Sequence, residues 1–125
     1  MLSISTCSIY KEICDCGLDE IKCNKIKNGM EIEFLDRLIS NKSTLYKFIS
    51  IENQNFSIIP AKTFLNLNVK VLYLDNNNIN EINKNSFESI KSLKILRLVG
   101  NLIHNLEFLI FLSSLTELNL ASNRI

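Results

Sequence analysis

An eleven-residue phrase, apolar-x-x-Leu-x-Leu-x-x-Asn-x-Ile, occurs three times between Val69 and Ile125, and nothing else in the chain limits its fold so strongly. The copies are Val69, Leu72, Leu74, Asn77 and Ile79; Leu93, Leu96, Leu98, Asn101 and Ile103; and Leu115, Leu118, Leu120, Asn123 and Ile125. None slips by a residue. In the Leu-x-Leu core alternate side chains point to opposite faces, so the leucines enter the interior of a short strand. One such unit cannot bury its own apolar face. Stacking each strand in parallel on the next builds one continuous core. After the strand the chain turns sharply, and an amide side chain there can bond the backbone groups that the turn leaves unpaired. Stacking places Asn77, Asn101 and Asn123 in a ladder, a structural role.

A degenerate copy precedes these three. Tyr46, Ile49, Ile51, Gln54, Phe56, Ile59, Pro60, Phe64 and Leu67 stand at the same offsets, with Gln54 in place of asparagine. Anchored on the turn residue, the periods are 23, 24 and 22 residues. The outer arcs repeat too: Ile59, Phe64 and Leu67 match Ile82, Phe87 and Ile90. In the third arc Leu106, Leu109 and Leu112 fill the core positions, which leaves Phe108, Ile110 and Phe111 as surplus. These three either wedge against neighbouring arcs or form an exposed patch. The phrase and its period of about 20–29 residues resemble the leucine-rich repeat. That resemblance implies an α/β right-handed solenoid, a horseshoe with a concave parallel sheet and short helical turns on its convex side.

All four cysteines, Cys7, Cys14, Cys16 and Cys23, fall at the start of the chain, spaced C-x6-C-x-C-x6-C. A segment too polar to hold a core is stapled in this way outside the cell. Four cysteines allow three pairings. The competing use is a four-thiolate zinc site, but such sites are built on C-x-x-C pairs, and C-x-C fits them poorly. No metal is expected. Ile21-Lys22-Cys23 reads as a strand pairing with the first repeat. Asn28-Gly29 marks a turn, and Met30, Phe34, Leu35, Leu38 and Ile39 recur at helical spacing. The chain thus divides into a cysteine-rich cap over 1–28, a short helix and lead-in over 29–45, and about four repeats over 46–125. Ile125 stands in mid-repeat, so further sequence is expected at one or both ends.

The cysteine segment is similar to the N-terminal cap of secreted leucine-rich repeat proteins of the Slit, chondroadherin and small-proteoglycan kind. The resemblance implies the pairs Cys7–Cys16 and Cys14–Cys23, and a secreted or cell-surface location, although no signal peptide is visible in Met1–Thr6. The layout of cap, helix and Gln-bearing degenerate repeat is also similar to the oplophorus-luciferin monooxygenase non-catalytic subunit. That likeness implies a stabilising subunit of a secreted enzyme, without active-site residues of its own. An intracellular repeat scaffold is the third reading; in it the cysteines stay reduced or bind metal.

Composition narrows the function further. Net charge is +1, from 14 basic and 13 acidic residues scattered along the chain, whereas a nucleic-acid binder shows a basic face. No apolar run approaches the ~18 residues of a membrane span; whether an anchor follows is open. His104 is the single histidine and is expected on a turn, pointing outward. It has no partner of the kind a general base requires, and no nucleophile, phosphate-loop or zinc-protease motif is present. The chain reads as non-enzymatic and without a cofactor. Two sequons, Asn41-Lys42-Ser43 and Asn55-Phe56-Ser57, mark candidate glycosylation sites for a secreted chain.

Binding has a natural place on the sheet. Residues alternating with the leucines face outward, and parallel stacking aligns them in columns: Phe48, Val71, Ile95 and Glu117; Ser50, Tyr73, Arg97 and Asn119; Glu52, Asp75, Val99 and Ala121. Tyr and Arg are residue types that carry interface energy. Phe48, Val71, Tyr73, Asp75, Ile95 and Arg97 are therefore the candidate contacts for a protein ligand. The modest alternative is that Arg97 only pairs with Asp75 in an exposed ion pair, and that the apolar column is ordinary surface.

Overall fold

Each Leu-x-Leu segment is too short to stand alone, and it finds its partners in the same segment of the neighbouring copies. A computed structural model describes residues 12–25, 32, 45–65 and 67–125. The expected helix over 30–40 lies outside them, apart from Ile32, which is buried. The strands are β1 (Cys14–Cys16), β2 (Glu20–Cys23), β3 (Tyr46–Ile51), β4 (Ile58–Ile59), β5 (Val69–Tyr73), β6 (Glu81–Ile82), β7 (Ile95–Arg97) and β8 (Glu117–Asn119). Six of them form one sheet in the order β1-β2-β3-β5-β7-β8. β1 and β2 are antiparallel and every later pair is parallel. This is a parallel-sheet solenoid in which chain order and sheet order coincide.

The entry to the sheet is a hairpin closed by Gly17, whose N–H donates to the Glu20 carbonyl at 2.8 Å. Cys14 lies opposite Cys23 in the hairpin register, and the two are joined by a disulfide. Cys16 is disulfide-bonded as well. Cys7 lies outside the described residues. β2 then runs parallel to β3, with Ile21 beside Ile49 and Cys23 beside Ile51. The strand expected at Ile21-Lys22-Cys23 is present.

Inside the sheet, Ile49, Leu72 and Leu96 stack in register, and all three are fully buried. Ile51, Leu74 and Leu98 form the next buried tier. β8 has a neighbour on one side only, and its Leu118 is 38% exposed. β3, β5, β7 and β8 exit into tight turns through residues with positive φ: Asn53 (60°), Asn76 (57°, with Asn78 at 57° in the same turn), Gly100 (70°) and Ser122 (58°). Asn and Gly tolerate that left-handed conformation best. At Gly100 space matters too, because a Cβ there would collide with the Asn76 amide.

One residue further on, the turn amides tie successive copies together. Asn77 Nδ2 donates to the Ile51 carbonyl (2.7 Å), and its Oδ1 accepts from Gln54 N–H (2.8 Å). Asn101 Nδ2 donates to the Leu74 and Leu98 carbonyls (3.0 Å each). Its Oδ1 accepts from the N–H groups of Asn77 (2.9 Å) and Ile79 (3.0 Å). Asn123 Nδ2 reaches the Leu98 and Leu120 carbonyls at 2.8 and 3.0 Å, and its Oδ1 accepts from Ile103 N–H at 2.9 Å. Gln54 is turned the other way, donating from Nε2 to the Glu52 carbonyl at 2.8 Å.

The return arcs differ from the sequence expectation in two places. Ile58–Ile59 and Glu81–Ile82 pair in parallel as a second, two-stranded sheet, which the repeat phrase did not announce. In the third arc a 3-10 helix covers Glu107–Phe111. Phe108, expected as surplus, is fully buried, whereas Leu106 and Leu109 are only partly buried and Ile110 is 77% exposed. The reason is an aromatic spine: Phe64 stacks on Phe87 at 4.9 Å between centroids, and Phe87 meets Phe108 at 5.7 Å. The rest of each arc is turn rather than helix. Ser86 anchors one arc to the one before it, donating from Oγ to Ile59 O (3.0 Å) and Pro60 O (2.9 Å).

Candidate functional site

The pleat that sends the leucines inward turns the alternate residues of β3, β5, β7 and β8 outward, and parallel pairing sets them side by side. Phe48, Val71, Ile95 and Glu117 make one column. Ser50, Tyr73, Arg97 and Asn119 make the next, and Lys22 of β2 stands beside Ser50 at its head. Phe48, Val71, Tyr73, Ile95 and Arg97 are all half-buried. The structure therefore brings five of the six candidate contacts together on one surface.

A continuous row crosses this surface. Lys22 Nζ lies 5.8 Å from the centre of the Phe48 ring. Phe48 meets Tyr73 edge to face, with centroids 4.8 Å apart. The Arg97 guanidinium sits 4.2 Å above the Tyr73 ring. Buried Ser50 is small enough to leave room for Phe48 to lean across to Tyr73. Cations within about 6 Å of a ring face are attracted by its quadrupole, worth about 0.5–1 kcal/mol at exposed sites. These contacts set the four long side chains of the row against one another.

Asp75 is the sixth candidate, and the structure removes it from the surface. It is only 3% exposed. Its Oδ1 accepts from Val99 N–H at 2.9 Å, and its Oδ2 accepts from Arg97 Nη2 at 2.5 Å. The outward alternation that predicts exposure holds only along the strand, and β5 ends at Tyr73. Beyond it the backbone bends into the turn and carries Asp75 under Arg97. The ion pair is therefore half-buried rather than exposed, and it fixes the guanidinium on its inner side. Among the described residues, buried Arg97 Nε finds no hydrogen-bond partner. Tyr73 contributes most to raising the Arg97 pKa, desolvation opposes it, and Asp75 adds hydrogen-bonding and coulombic support. Arg97 is a fixed cation.

Lys22 was missed by sequence reasoning, because its place beside the repeats depends on the β2–β3 register. A lysine column was missed as well. Lys47, Lys70 and Lys94 occupy the second position of three successive copies and are exposed. Recurrence at the repeat period was the signal that marks them.

The remaining candidates lie elsewhere. Asn55 is exposed on a turn, and its Oδ1 accepts from Asn78 Nδ2 at 3.3 Å. Asn41 lies outside the described residues. His104 is exposed beside an open groove of about 560 Å3 on the arc side, lined also by Asn80, Asn83, Lys84, Asn105 and Glu107. The Asn83 and Asn105 side-chain oxygens there are engaged by the N–H groups of Asn85 and Glu107, at 2.9 Å each. No helix among the described residues is long and apolar enough to cross a membrane.

No curated protein matches the chain in sequence. The family model of the leucine rich repeat matches it twice, over residues 47–103 and 68–125. The two matches together span more than half of the 125 residues, and with the stacked strands and turn asparagines they show that the chain belongs to the leucine-rich repeat family.

Proposed function

We propose that this chain is a non-enzymatic, extracellular protein-binding module, and that its partner lies on the solvent-facing surface of the six-stranded sheet. The observation that carries the reading is the row Lys22–Phe48–Tyr73–Arg97. It combines aromatic area, a fixed cation and an adjoining apolar column of Val71 and Ile95. Aromatic and arginine side chains dominate interface energetics because they bury large areas with few rotamers to freeze. Repeat folds bring such residues into register across strands at no added cost in loop ordering.

The extracellular part of the reading is supported by the disulfide between Cys14 and Cys23 and the disulfide-bonded state of Cys16. Disulfides persist in oxidising compartments and are rare where thiols are kept reduced. In such a compartment the exposed Asn55 is also a site for a glycan.

Two measurements test this reading. Intact mass of the native chain after thiol alkylation should show no labelling until the protein is reduced; four reactive thiols would place it in a reducing compartment as an intracellular scaffold. For the site, Tyr73→Ala should weaken a bound protein partner by about 2 kcal/mol in titration calorimetry, while Lys84→Ala on the arc side leaves it unchanged. The reverse pattern would move the site to the arcs.

A further inference from the structure

Three successive copies carry lysine immediately before the outward apolar residue: Lys47 before Phe48, Lys70 before Val71, and Lys94 before Ile95. Lys94 N donates to the Lys70 carbonyl and Thr116 N to the Lys94 carbonyl, both at 2.8 Å, so this position stacks as a column of its own. The pairs Tyr46–Val69 and Phe48–Val71 bracket Lys47 and Lys70 and set them side by side. Lys47 is 3.4 Å from Asp19. Among the described residues Lys70 and Lys94 have no anionic partner. Strands lie about 4.8 Å apart, so the two exposed lysines spring from neighbouring backbone positions, where an anion beside them is favoured.

We propose that the partner of the sheet face is an extended, acidic protein segment that also carries apolar or aromatic side chains, its carboxylates along Lys70 and Lys94 and its apolar side chains over Phe48, Val71 and Ile95. The proposal rests on the sheet face being the interaction surface. Charge complementarity selects the acidic character. The apolar column, whose residues fall along each strand between the lysine and the Tyr73–Arg97 column, selects the apolar side chains. In an extended segment carboxylates on one side recur every ~6.6 Å, a mismatch that flexible lysine stems absorb.

A uniform polyanion fits less well. Glu20 and Glu117 close the two ends of the Phe48–Val71–Ile95 column, and Glu52 follows the column that begins at Lys22. A sulfated polysaccharide or nucleic acid crossing the sheet meets these carboxylates and finds apolar side chains where it needs donors. A short acidic and apolar segment stays within the favourable footprint.

The test is fluorescence anisotropy on the full chain with labelled peptides of equal length, one alternating glutamate with valine and tyrosine, one lysine with valine and tyrosine, and one glutamate with serine. A labelled sulfated oligosaccharide completes the set. The glutamate–apolar peptide should bind most tightly and lose affinity as salt rises. The double variant Lys70→Gln/Lys94→Gln should weaken it by roughly tenfold, the size expected for two exposed ion pairs. Both lysines are exposed, so an unchanged thermal midpoint shows that the variant is folded. Equal binding of the glutamate–serine peptide or the oligosaccharide would overturn the proposal in favour of a plain polyanion. Tightest binding of the lysine peptide, or no peptide binding at all, would overturn it too. Loss on Tyr73→Ala without loss in the lysine variant sinks the acidic partner and keeps the sheet face. Insensitivity to both sinks the sheet face as well.

Discussion

The two sides of each solenoid turn follow different rules. On the strand side, the eleven-residue phrase repeats without insertion, and Asn101 and Asn123 each bond the carbonyl at the same place in the copy before. On the arc side, the buried phenylalanine comes ten residues after the turn residue in two copies (Gln54 to Phe64, Asn77 to Phe87) and seven after it in the third (Asn101 to Phe108). The three rings nevertheless end up in one spine. Hydrogen bonds weaken steeply with a few tenths of an ångström or a few tens of degrees of misplacement, so their register must be kept. Burial of apolar area is non-directional, so a ring can arrive from a turn or from a 3-10 helix and count the same. The strand side is fixed by geometry, the arc side by volume.

The largest effect should come from emptying the spine. Phe87 is fully buried between Phe64 and Phe108, and Phe87→Ala should cost about 3–5 kcal/mol in urea denaturation. Phe87→Leu, which refills much of the volume, should cost only about 1–2 kcal/mol. If leucine proved as damaging as alanine, the arc would be as geometry-bound as the strand side and the contrast would fail. Next comes Asn101, whose amide bonds three backbone groups of the preceding copy and one of its own. Asn101→Ala should cost about 1–3 kcal/mol through buried backbone groups left unpaired. Asn101→Asp keeps the volume and the acceptor but loses the donor, and should be nearly as damaging. A denaturation midpoint unchanged in both variants would show that the ladder contributes nothing.

The same contrast governs what could be read from the sequence. Strand register and the outward columns follow from counting within the phrase, because the leucine and asparagine offsets never vary. The arcs could not be counted in this way. Phe108 looked surplus beside Leu106, Leu109 and Leu112, since spacing from the preceding turn does not reveal which residue a shorter arc will turn inward. The β4–β6 pair was hidden because two-residue strands carry no periodicity. Asp75 failed for a different reason: alternation was extended past the end of β5, where the pleat no longer operates. The lysine column was countable too, since Lys47, Lys70 and Lys94 recur at the second position of three copies.

The smallest expected effect lies where the strand side admits a polar group into an apolar slot. Tyr46 stands where later copies have Val69, Leu93 and Leu115, and it is buried. Burial raises its phenol pKa above the ordinary value of 10.0. The folded chain therefore holds that proton more tightly than the unfolded one. The resulting stability is fully present below the unfolded value, and it is lost as pH rises through the folded one. Tyr46→Phe fills the same slot without a titrating group. Its unfolding free energy in urea should match the parent's within about 0.5 kcal/mol near neutrality, and should fall less steeply once pH passes about 10. Parallel alkaline decline of the two proteins would mean that Tyr46 ionises freely in the folded chain, and that the first slot of the phrase is looser than the asparagine turn it leads to.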